Sequence, residues 1–227
     1  MPALRVLPKE TPMSLSLVCL PDDTPAERIA AAAEASLAAL SLTTHGPADH
    51  FLAGRRRHWF SRIEHESIAG GRLHHLDLAA MRNAAYQLNW YRWTVWQQVV
   101  ANTRPAQPYW TFLAHHRTTP TRYPLDRAQQ DYLAQPRVLV MNTYNALPHR
   151  AMDLPTSHLE ALQLGSHAYA HFGWLSAVPG DRLLCLDGTL LTAGTGQLAP
   201  RMDYLAEANG QIDTLAPDDI VVALRTP

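Results

Sequence analysis

The sequence predicts an α+β fold in which an antiparallel or mixed sheet is packed by at least three helices, with a β-rich acidic C-terminal part. Short apolar runs bounded by turn residues lie between longer segments whose apolar residues recur at helical spacing. Two glycine-containing dipeptides separate pairs of short runs, as they do in β-hairpins. The 227 residues are enough to bury one sizeable core.

The beginning of the chain predicts a strand followed by a helix. Residues 1–12 carry no pattern and predict a flexible N-terminal arm. The apolar run 15–20 predicts a buried strand, and the turn residues 21–25 start a helix over about 26–41. One face of that helix carries apolar residues at three- and four-residue steps, namely Ile29, Ala33, Leu37 and Leu40.

Gly70 and Gly71 predict a hairpin, because glycine accepts the positive φ of a two-residue turn. The two strands would cover residues 58–69 and 72–78. Alternation would then place polar side chains on one face of this hairpin and apolar ones on the core face.

The middle of the chain predicts a long helix and several short elements. The helix runs from Asp77 to about Val100, and its tryptophans at three-residue steps, Trp90, Trp93 and Trp96, indicate core packing. Residues 109–113 predict a short strand or turn set between prolines, 125–134 a short helix, and 137–141 a strand.

The last part of the chain predicts a helix and a set of strands. Ser157 and Glu160 match a capping box that would start a helix over 158–172. The Asp187-Gly188 dipeptide predicts a hairpin between runs 182–186 and 189–192, and 220–224 predicts a final strand. The resulting division is a basic α+β core over 13–150 and an acidic helix-plus-hairpin part over 151–227, packed on the same domain.

Charge is distributed unevenly along the chain. Residues 1–150 hold 16 of the 19 basic and 11 of the 20 acidic residues, a balance of +5, whereas 151–227 hold 3 and 9, a balance of −6. Every basic residue except Lys9 is arginine, whose planar fork suits phosphate, carboxylate and stacking partners. High-GC codon usage would produce the same arginine bias without any function.

The cysteine count and the hydropathy pattern exclude several classes of protein. Cys19 and Cys185 are too few for a disulfide framework or a four-cysteine zinc site, and both lie in apolar runs that favour reduced, buried thiols. No apolar run approaches the roughly 20 residues of a membrane helix. We therefore expect a cytoplasmic protein with no membrane partner.

The strongest functional signal is the basic, aromatic stretch over 55–62. Single-stranded nucleic acid is held by cations along its backbone and by flat side chains on which bases stack. The expected nucleic-acid contacts are Arg55, Arg56, Arg57, His58, Phe60, Arg62 and Arg72, with His65, His74 or His75 as acid or base if RNA is also cut. The alternative is an edge strand kept soluble by its charge.

A second pattern follows from the predicted Gly-Gly hairpin and suggests a metal. Its register would place Glu66 opposite His75 and Glu64 opposite Asp77. Carboxylates that face each other need a cation between them, and two carboxylates with a histidine suit Mn²⁺, Fe²⁺, Zn²⁺ or Mg²⁺. Arginine could supply the positive charge instead.

A third pattern places Glu160, His167 and His171 within one stripe of the helix predicted over 158–172. A histidine pair four residues apart with an acidic third ligand is acceptable zinc geometry. Packing histidines explain the same spacing.

Three functions remain open from the sequence. The leading hypothesis is an RNA or single-stranded nucleic-acid binding protein, a subunit of a ribonucleoprotein or defence-type complex with histidine-based RNA processing. The first alternative is an enzyme that needs a divalent metal as its cofactor, and the second is a structural subunit that docks on other proteins. A serine or cysteine hydrolase and a zinc deaminase are disfavoured because their motifs are absent from the sequence.

Overall fold

The computed structural model describes residues 13–55, 64–194 and 196–227. Contacts divide the chain into two compact units. The sheet unit comprises Met1–Asp77, Pro179–Thr192 and Gln211–Pro227, and the helical unit comprises Leu78–Val178 and Ala193–Gly210. The division at residue 150, which rests on composition and charge, stays a prediction.

The sheet unit is built on a five-stranded mixed sheet with the order β4-β7-β1-β5-β6. Its strands are β1 Ser14–Leu20, β4 Gly70–Arg72, β5 Arg182–Leu184, β6 Leu190–Thr192 and β7 Ile220–Thr226. β1 pairs in parallel with β5, and the other neighbours are antiparallel. A separate two-stranded antiparallel sheet joins β2 Phe51–Arg55 to β3 Glu64–Ile68.

The core of the sheet unit lies between the mixed sheet and helix α1, Ile29–Ala39. Ala33 and Leu37 of α1 are fully buried. They pack on side chains that alternate along the strands toward the helix, namely Val18, Leu20, Leu184, Ile220, Val222 and Leu224. The intervening residues, Cys19 among them, therefore point to the opposite face of the sheet.

The helical unit contains α2 Leu78–Val99, α3 Tyr109–Thr118, α4 Leu125–Leu133, α5 Pro136–Asn145, α6 Leu159–Gln163, α7 Ser166–Ser176 and most of α8 Leu198–Asp213. α2 and α7 approach closely at Gly173, where an added Cβ would lie 2.3 Å from Asn89 Nδ2 and 2.8 Å from the Ala85 carbonyl oxygen. Two tryptophans of α2 contact other helices: Trp93 Nε1 donates to the Leu162 carbonyl of α6 at 3.0 Å, and the buried Trp96 lies with its Nε1 3.4 Å from Met141 Sδ of α5.

The predicted α+β class is confirmed, with eight α-helices and two sheets in the described residues. The predicted strand over 15–20 is part of β1, and the predicted helix over 26–41 becomes a 3-10 turn at Ala26–Arg28 followed by α1. The Asp187-Gly188 turn joins β5 to β6, with Gly188 at a φ of +85°. β7 contains the predicted last strand.

The hairpin predicted at Gly70-Gly71 is wrong. Both glycines lie within β4 and pair with β7, while β3 pairs with β2. A Cβ on Gly70 would lie 2.2 Å from the Val221 carbonyl oxygen. Glycine is therefore needed here for the close approach of two backbones rather than for a turn.

Two segments predicted as strands are helices. Residues 109–113 belong to α3 and 137–141 belong to α5. Pro136 stands in the first turn of α5, where its fixed φ suits a helix, and Val138 and Met141 are buried three residues apart on one face. Tertiary burial outweighs the strand preference of the β-branched residues in this run.

The helix predicted over 158–172 is broken in two. Gly165 has a φ of +105° between α6 and α7, a conformation that ends a helix. The predicted capping box is also wrong, because residues Thr156–His158 form a 3-10 turn and no side chain caps α6. In the described part of the chain, no helix is both long and apolar enough to cross a membrane.

Candidate ligand-binding cavity

Most of the residues predicted to bind nucleic acid fall outside the described ranges. These are Arg56, Arg57, His58, Phe60 and Arg62. For Arg55, Glu64 and His65 the description covers the backbone, and Arg55 pairs with Glu64 at the last position of the β2–β3 register. The arginine-rich residues 56–63 therefore connect two paired antiparallel strands.

Arg72 and His74 converge on one acidic residue. Arg72 Nη1 lies 3.4 Å from Asp218 Oδ1, and Arg72 Nη2 donates to the Asp22 carbonyl at 3.3 Å. His74 Nδ1 lies 2.8 Å from the Pro217 carbonyl and 3.4 Å from the same Asp218 oxygen. The His75 ring is 4.0 Å from that of His74. These contacts tie β4 to the chain around Asp218.

The strand register predicted to bring Glu64, Glu66, His75 and Asp77 together is not the observed one. Glu66 pairs with Ala53 in the β2–β3 register, so it does not face His75, and the Asp77 amide donates to the Leu52 carbonyl. The register on which the carboxylate-histidine site depended is absent. Across residues 13–55, 64–194 and 196–227, no three His, Cys, Asp or Glu side chains are grouped to hold a metal ion, and this includes Glu160, His167 and His171.

A cavity of about 220 Å³ in the helical unit brings the side chains of His158, Glu160 and Arg201 together. Thr156, Ser157 and Gln197 also line it, and the remainder of the wall is largely apolar or backbone. The aromatic and apolar lining residues are Pro108, Tyr109, Tyr132, Leu159, Phe172 and Leu198. A concave, mostly apolar site with a few convergent polar groups is the usual form of a small-molecule site.

His158 is held in its neutral form. Burial, together with the positive charges of Arg201 and Arg92, lowers its pKa to about 4. Its Nδ1 lies 3.0 Å from the Tyr169 hydroxyl. A neutral imidazole has one donor and one acceptor nitrogen, so His158 adds hydrogen-bonding capacity without charge to the cavity wall.

Polar side chains of α2 contact Tyr169, the hydrogen-bond partner of His158. Arg92 Nη1 donates to Asn89 Oδ1 at 2.6 Å, and Asn89 Nδ2 donates to the Tyr169 carbonyl at 3.3 Å. Asn89 is almost fully buried. A buried polar network whose members are hydrogen-bonded fixes orientation as well as charge.

Glu160 is held by donors from two other helices. Its Oε2 accepts Trp110 Nε1 of α3 at 3.2 Å and the Leu198 amide of α8 at 3.3 Å. The Leu198 amide belongs to the first turn of α8, whose N–H groups have no partner within the helix. A carboxylate is favoured at such a helix start. The Glu160 side chain thus joins α6 to α3 and α8 at the cavity.

Arg201 supplies the positive charge of the cavity. It belongs to α8, and its guanidinium carbon lies 5.8 Å from the centroid of the Phe172 ring. With Glu160 negative and His158 neutral, the three groups carry one charge of each sign and one neutral imidazole. Opposite charges at fixed positions in one apolar site discriminate among ligands by charge pattern.

Helix α8, which carries Arg201, was not predicted from the sequence, although its residues follow a helical pattern. In α8 the buried residues Tyr204, Leu205, Ala208 and Ile212 recur at helical spacing, and Pro200 stands in the first turn. Recognition of this helix would have placed Arg201 beside the loop 193–197. The convergence of His158 and Arg201, 43 positions apart, has no local signature.

Comparisons with known proteins give no family for the chain. No protein-family model matches it, and no curated protein or solved structure matches it.

Proposed function

We propose that the helical unit binds a small zwitterionic ligand of the α-amino-acid type, with an apolar side chain, in the cavity between His158, Glu160 and Arg201. The observation that carries the proposal is the placement of one carboxylate, one guanidinium and one neutral imidazole on the wall of a single, otherwise largely apolar cavity. A zwitterion matches both charges at once.

The charged side chains of the cavity indicate which charged group of the ligand each of them contacts. The guanidinium of Arg201 has five donors, so it can pair with a ligand carboxylate while keeping contacts to the protein. Glu160 can accept from a ligand ammonium group. The neutral His158 adds a hydrogen-bonding group without a charge.

The walls and the volume of the cavity indicate the apolar group and the size of the ligand. Tyr109, Tyr132 and Phe172 line the cavity and favour a flat or branched apolar group. At roughly 30 Å³ per water molecule, about 220 Å³ corresponds to some seven waters, the scale of a metabolite rather than of a polymer. A ligand of this size with two charged contacts should bind with a Kd on the order of 0.1 mM.

A nested set of probes tests the proposal by calorimetry. L-phenylalanine has both charged groups, 3-phenylpropionate lacks the ammonium, and 2-phenylethylamine lacks the carboxylate. We expect L-phenylalanine to bind about tenfold more tightly than either, because a hydrogen bond to a charged group contributes roughly 1.5–3 kcal/mol.

Two substitutions should remove the two preferences separately. Glu160→Gln should abolish the preference for L-phenylalanine over 3-phenylpropionate, and Arg201→Gln should abolish the preference over 2-phenylethylamine. Glu207→Gln, on an exposed position of the same helix, is the matched control. Absence of binding by all three probes up to about 10 mM would refute the proposal.

We also propose, as a second candidate, that the arginine-rich stretch 55–62 binds single-stranded nucleic acid. Support comes from its composition and from the position of residues 56–63 between the paired ends of β2 and β3. Two-stranded ribbons are one of the elements with which proteins approach nucleic acid.

Salt dependence tests this second candidate. The logarithm of the affinity should fall with the logarithm of salt concentration by about 0.7 for each phosphate contacted on a single strand. Replacing Arg55, Arg56 and Arg57 by alanine should flatten this slope by about 2. Replacing Arg117, Arg122 and Arg127, three exposed arginines of the helical unit, is the charge-matched control. An equal effect of both triple substitutions would indicate net charge rather than a site.

A further inference from the structure

We propose that Cys19 and Cys185 form a two-coordinate site for a soft monovalent cation of the Cu(I) class. This site lies in the sheet unit and is independent of the ligand cavity. The proposal rests on the strand register, on the cavity that both thiols share, and on the spacing of adjacent strands.

The register brings the two cysteines together. β1 and β5 are parallel, and Val18 is the partner of Leu184. β5 ends at Leu184, and continuing its register by one residue sets Cys185 beside Cys19. Because Val18 and Leu184 both point toward α1, the following residues both point to the opposite face of the sheet. Neither cysteine is in a disulfide.

Both thiols line one cavity of about 190 Å³. Gln211, Thr214, Asp187 and Asp219 also line it, and the first three of these are exposed on the surface. The cavity therefore gives a small ion a route from solvent to two side chains that are otherwise buried. Its acidic rim attracts cations.

The spacing suits a linear arrangement of two sulfurs around a metal. Adjacent strands lie about 4.8 Å apart, and side chains at paired positions of a parallel ladder project side by side. Two metal–thiolate bonds of about 2.3 Å in line span about 4.6 Å. Thiols on neighbouring chain segments can therefore reach the separation that a two-coordinate ion requires.

The surrounding groups favour a soft ion over zinc. Asp187 Oδ1 already accepts the Thr189 amide at 2.8 Å, and Asp219 Oδ2 accepts the Ala216 amide at 2.7 Å. In the described ranges, no third His, Cys, Asp or Glu completes a metal-binding group with the thiols. Soft thiolate ligands select Cu(I), which needs no third ligand, whereas structural zinc takes four.

The two thiols fix the proton balance of binding. Both cysteines are buried, and a buried thiol carries its proton at neutral pH. Binding replaces the proton of each thiol by a sulfur–metal bond, so that one monovalent ion enters, two protons leave, and no atom changes oxidation state.

Anaerobic titration of the reduced full chain with Cu(I), supplied as its acetonitrile complex, tests the proposal. We expect one ion bound per chain, two protons released per ion, and an ultraviolet thiolate-to-metal absorption band. The chain has two cysteines, so every thiolate band must come from this pair. Ag(I) should reproduce the result, and Zn(II) should not compete with either ion.

Single substitutions and spectroscopy complete the test. Cys19→Ser and Cys185→Ser should each abolish the band and lower the affinity for Cu(I) at least tenfold. X-ray absorption of the wild-type complex should count two sulfur neighbours and no nitrogen, which requires no variant to fold. Nitrogen ligation, retention of the band in either variant, or tighter binding of Zn(II) would each overturn the proposal.

Discussion

The two units differ in what they bury. The core of the sheet unit between the strands and α1 consists of aliphatic side chains, and its buried polar side chains, Ser16 and Thr226, bond to each other across β1 and β7 at 2.9 Å. The interior of the helical unit includes Asn89 and Asn209 and the hydroxyl of Tyr169. Apolar burial stabilises both units, and the helical unit additionally buries amide groups that form hydrogen bonds between its helices.

Asn209 illustrates how the helical unit accommodates its buried polar groups. Its Nδ2 donates to the carbonyls of Leu175 at 2.9 Å and Leu205 at 2.7 Å, and its Oδ1 accepts Arg82 Nη2 at 2.8 Å. Arg82 also lies 4.7 Å from the Trp174 ring centroid. Satisfied amides of this kind specify which helix faces meet, because a shifted register would leave them unpaired. The expected responses of the two units to mutation and pH therefore differ.

The largest effect is expected in the sheet unit. Leu37→Ala should lower the free energy of unfolding by about 3 kcal/mol, since it removes a fully buried side chain from a close-packed cluster. The loss should be the same at neutral and mildly acidic pH, because no titratable group belongs to that cluster. Urea unfolding at both values measures it. Leu40→Ala, at a side chain 42% exposed, is the control and should change stability by less than about 0.5 kcal/mol.

The stability of the helical unit, by contrast, should depend on pH. The pKa of His158 is lowered from about 6.5 in the unfolded chain to about 4, so the unfolded state binds the proton first as pH falls. The stability contributed by neutral His158 is complete above pH 6.5 and is lost through pH 4, by about 3 kcal/mol at 1.36 kcal/mol per pKa unit. His158→Gln, which keeps an acceptor for Tyr169, should remove this loss in urea unfolding between these two pH values. An unchanged pH profile in the variant would show that His158 does not titrate in this window.

A smaller effect tests the close packing of α2 on α7. Gly173→Ala should destabilise the helical unit by about 2 kcal/mol, because the new methyl group would overlap Asn89 and the Ala85 carbonyl. Gly210→Ala, in α8 with open space around it, should instead stabilise by about 0.5–1 kcal/mol through helix propensity. Thermal unfolding of both variants measures the difference. Equal shifts would mean that helix propensity, and not the contact with Asn89, dominates at Gly173.

The sheet unit was predictable from sequence where the signals were local. Continuous apolar runs predicted β1 and β7, and Asp187-Gly188 predicted the β5–β6 turn, since each signal depends on neighbouring residues. The hairpin prediction at Gly70 is wrong because a close approach of two backbones and a turn both require glycine. Only the partner strand distinguishes these two cases.

The candidate cavity could not be predicted to the same degree. Residues Pro136–Asn145 form helix α5 although their composition favours a strand, because burial against the rest of the helical unit decides their conformation. The sequence predicts that Glu160 belongs to a capping box, which does not form. Its observed partners are Trp110 and Leu198, which lie 50 and 38 positions away. Contacts between such distant positions follow from packing and leave no mark in a local pattern.

The position of β7 in the sheet has a consequence for synthesis of the protein. β7 lies between β4 and β1, so the sheet cannot be completed until residue 226 has left the ribosome. The ribosome adds roughly 5–20 residues per second, and about 200 residues separate β1 from β7, so β1 waits on the order of 10–40 s for its antiparallel partner. During this interval the apolar strand Ser14–Leu20 has an open edge, the kind of surface that chaperones cover and that pairs with other nascent chains. Slower translation would lengthen that exposure, and the yield of folded protein should then depend on elongation rate as well as on stability.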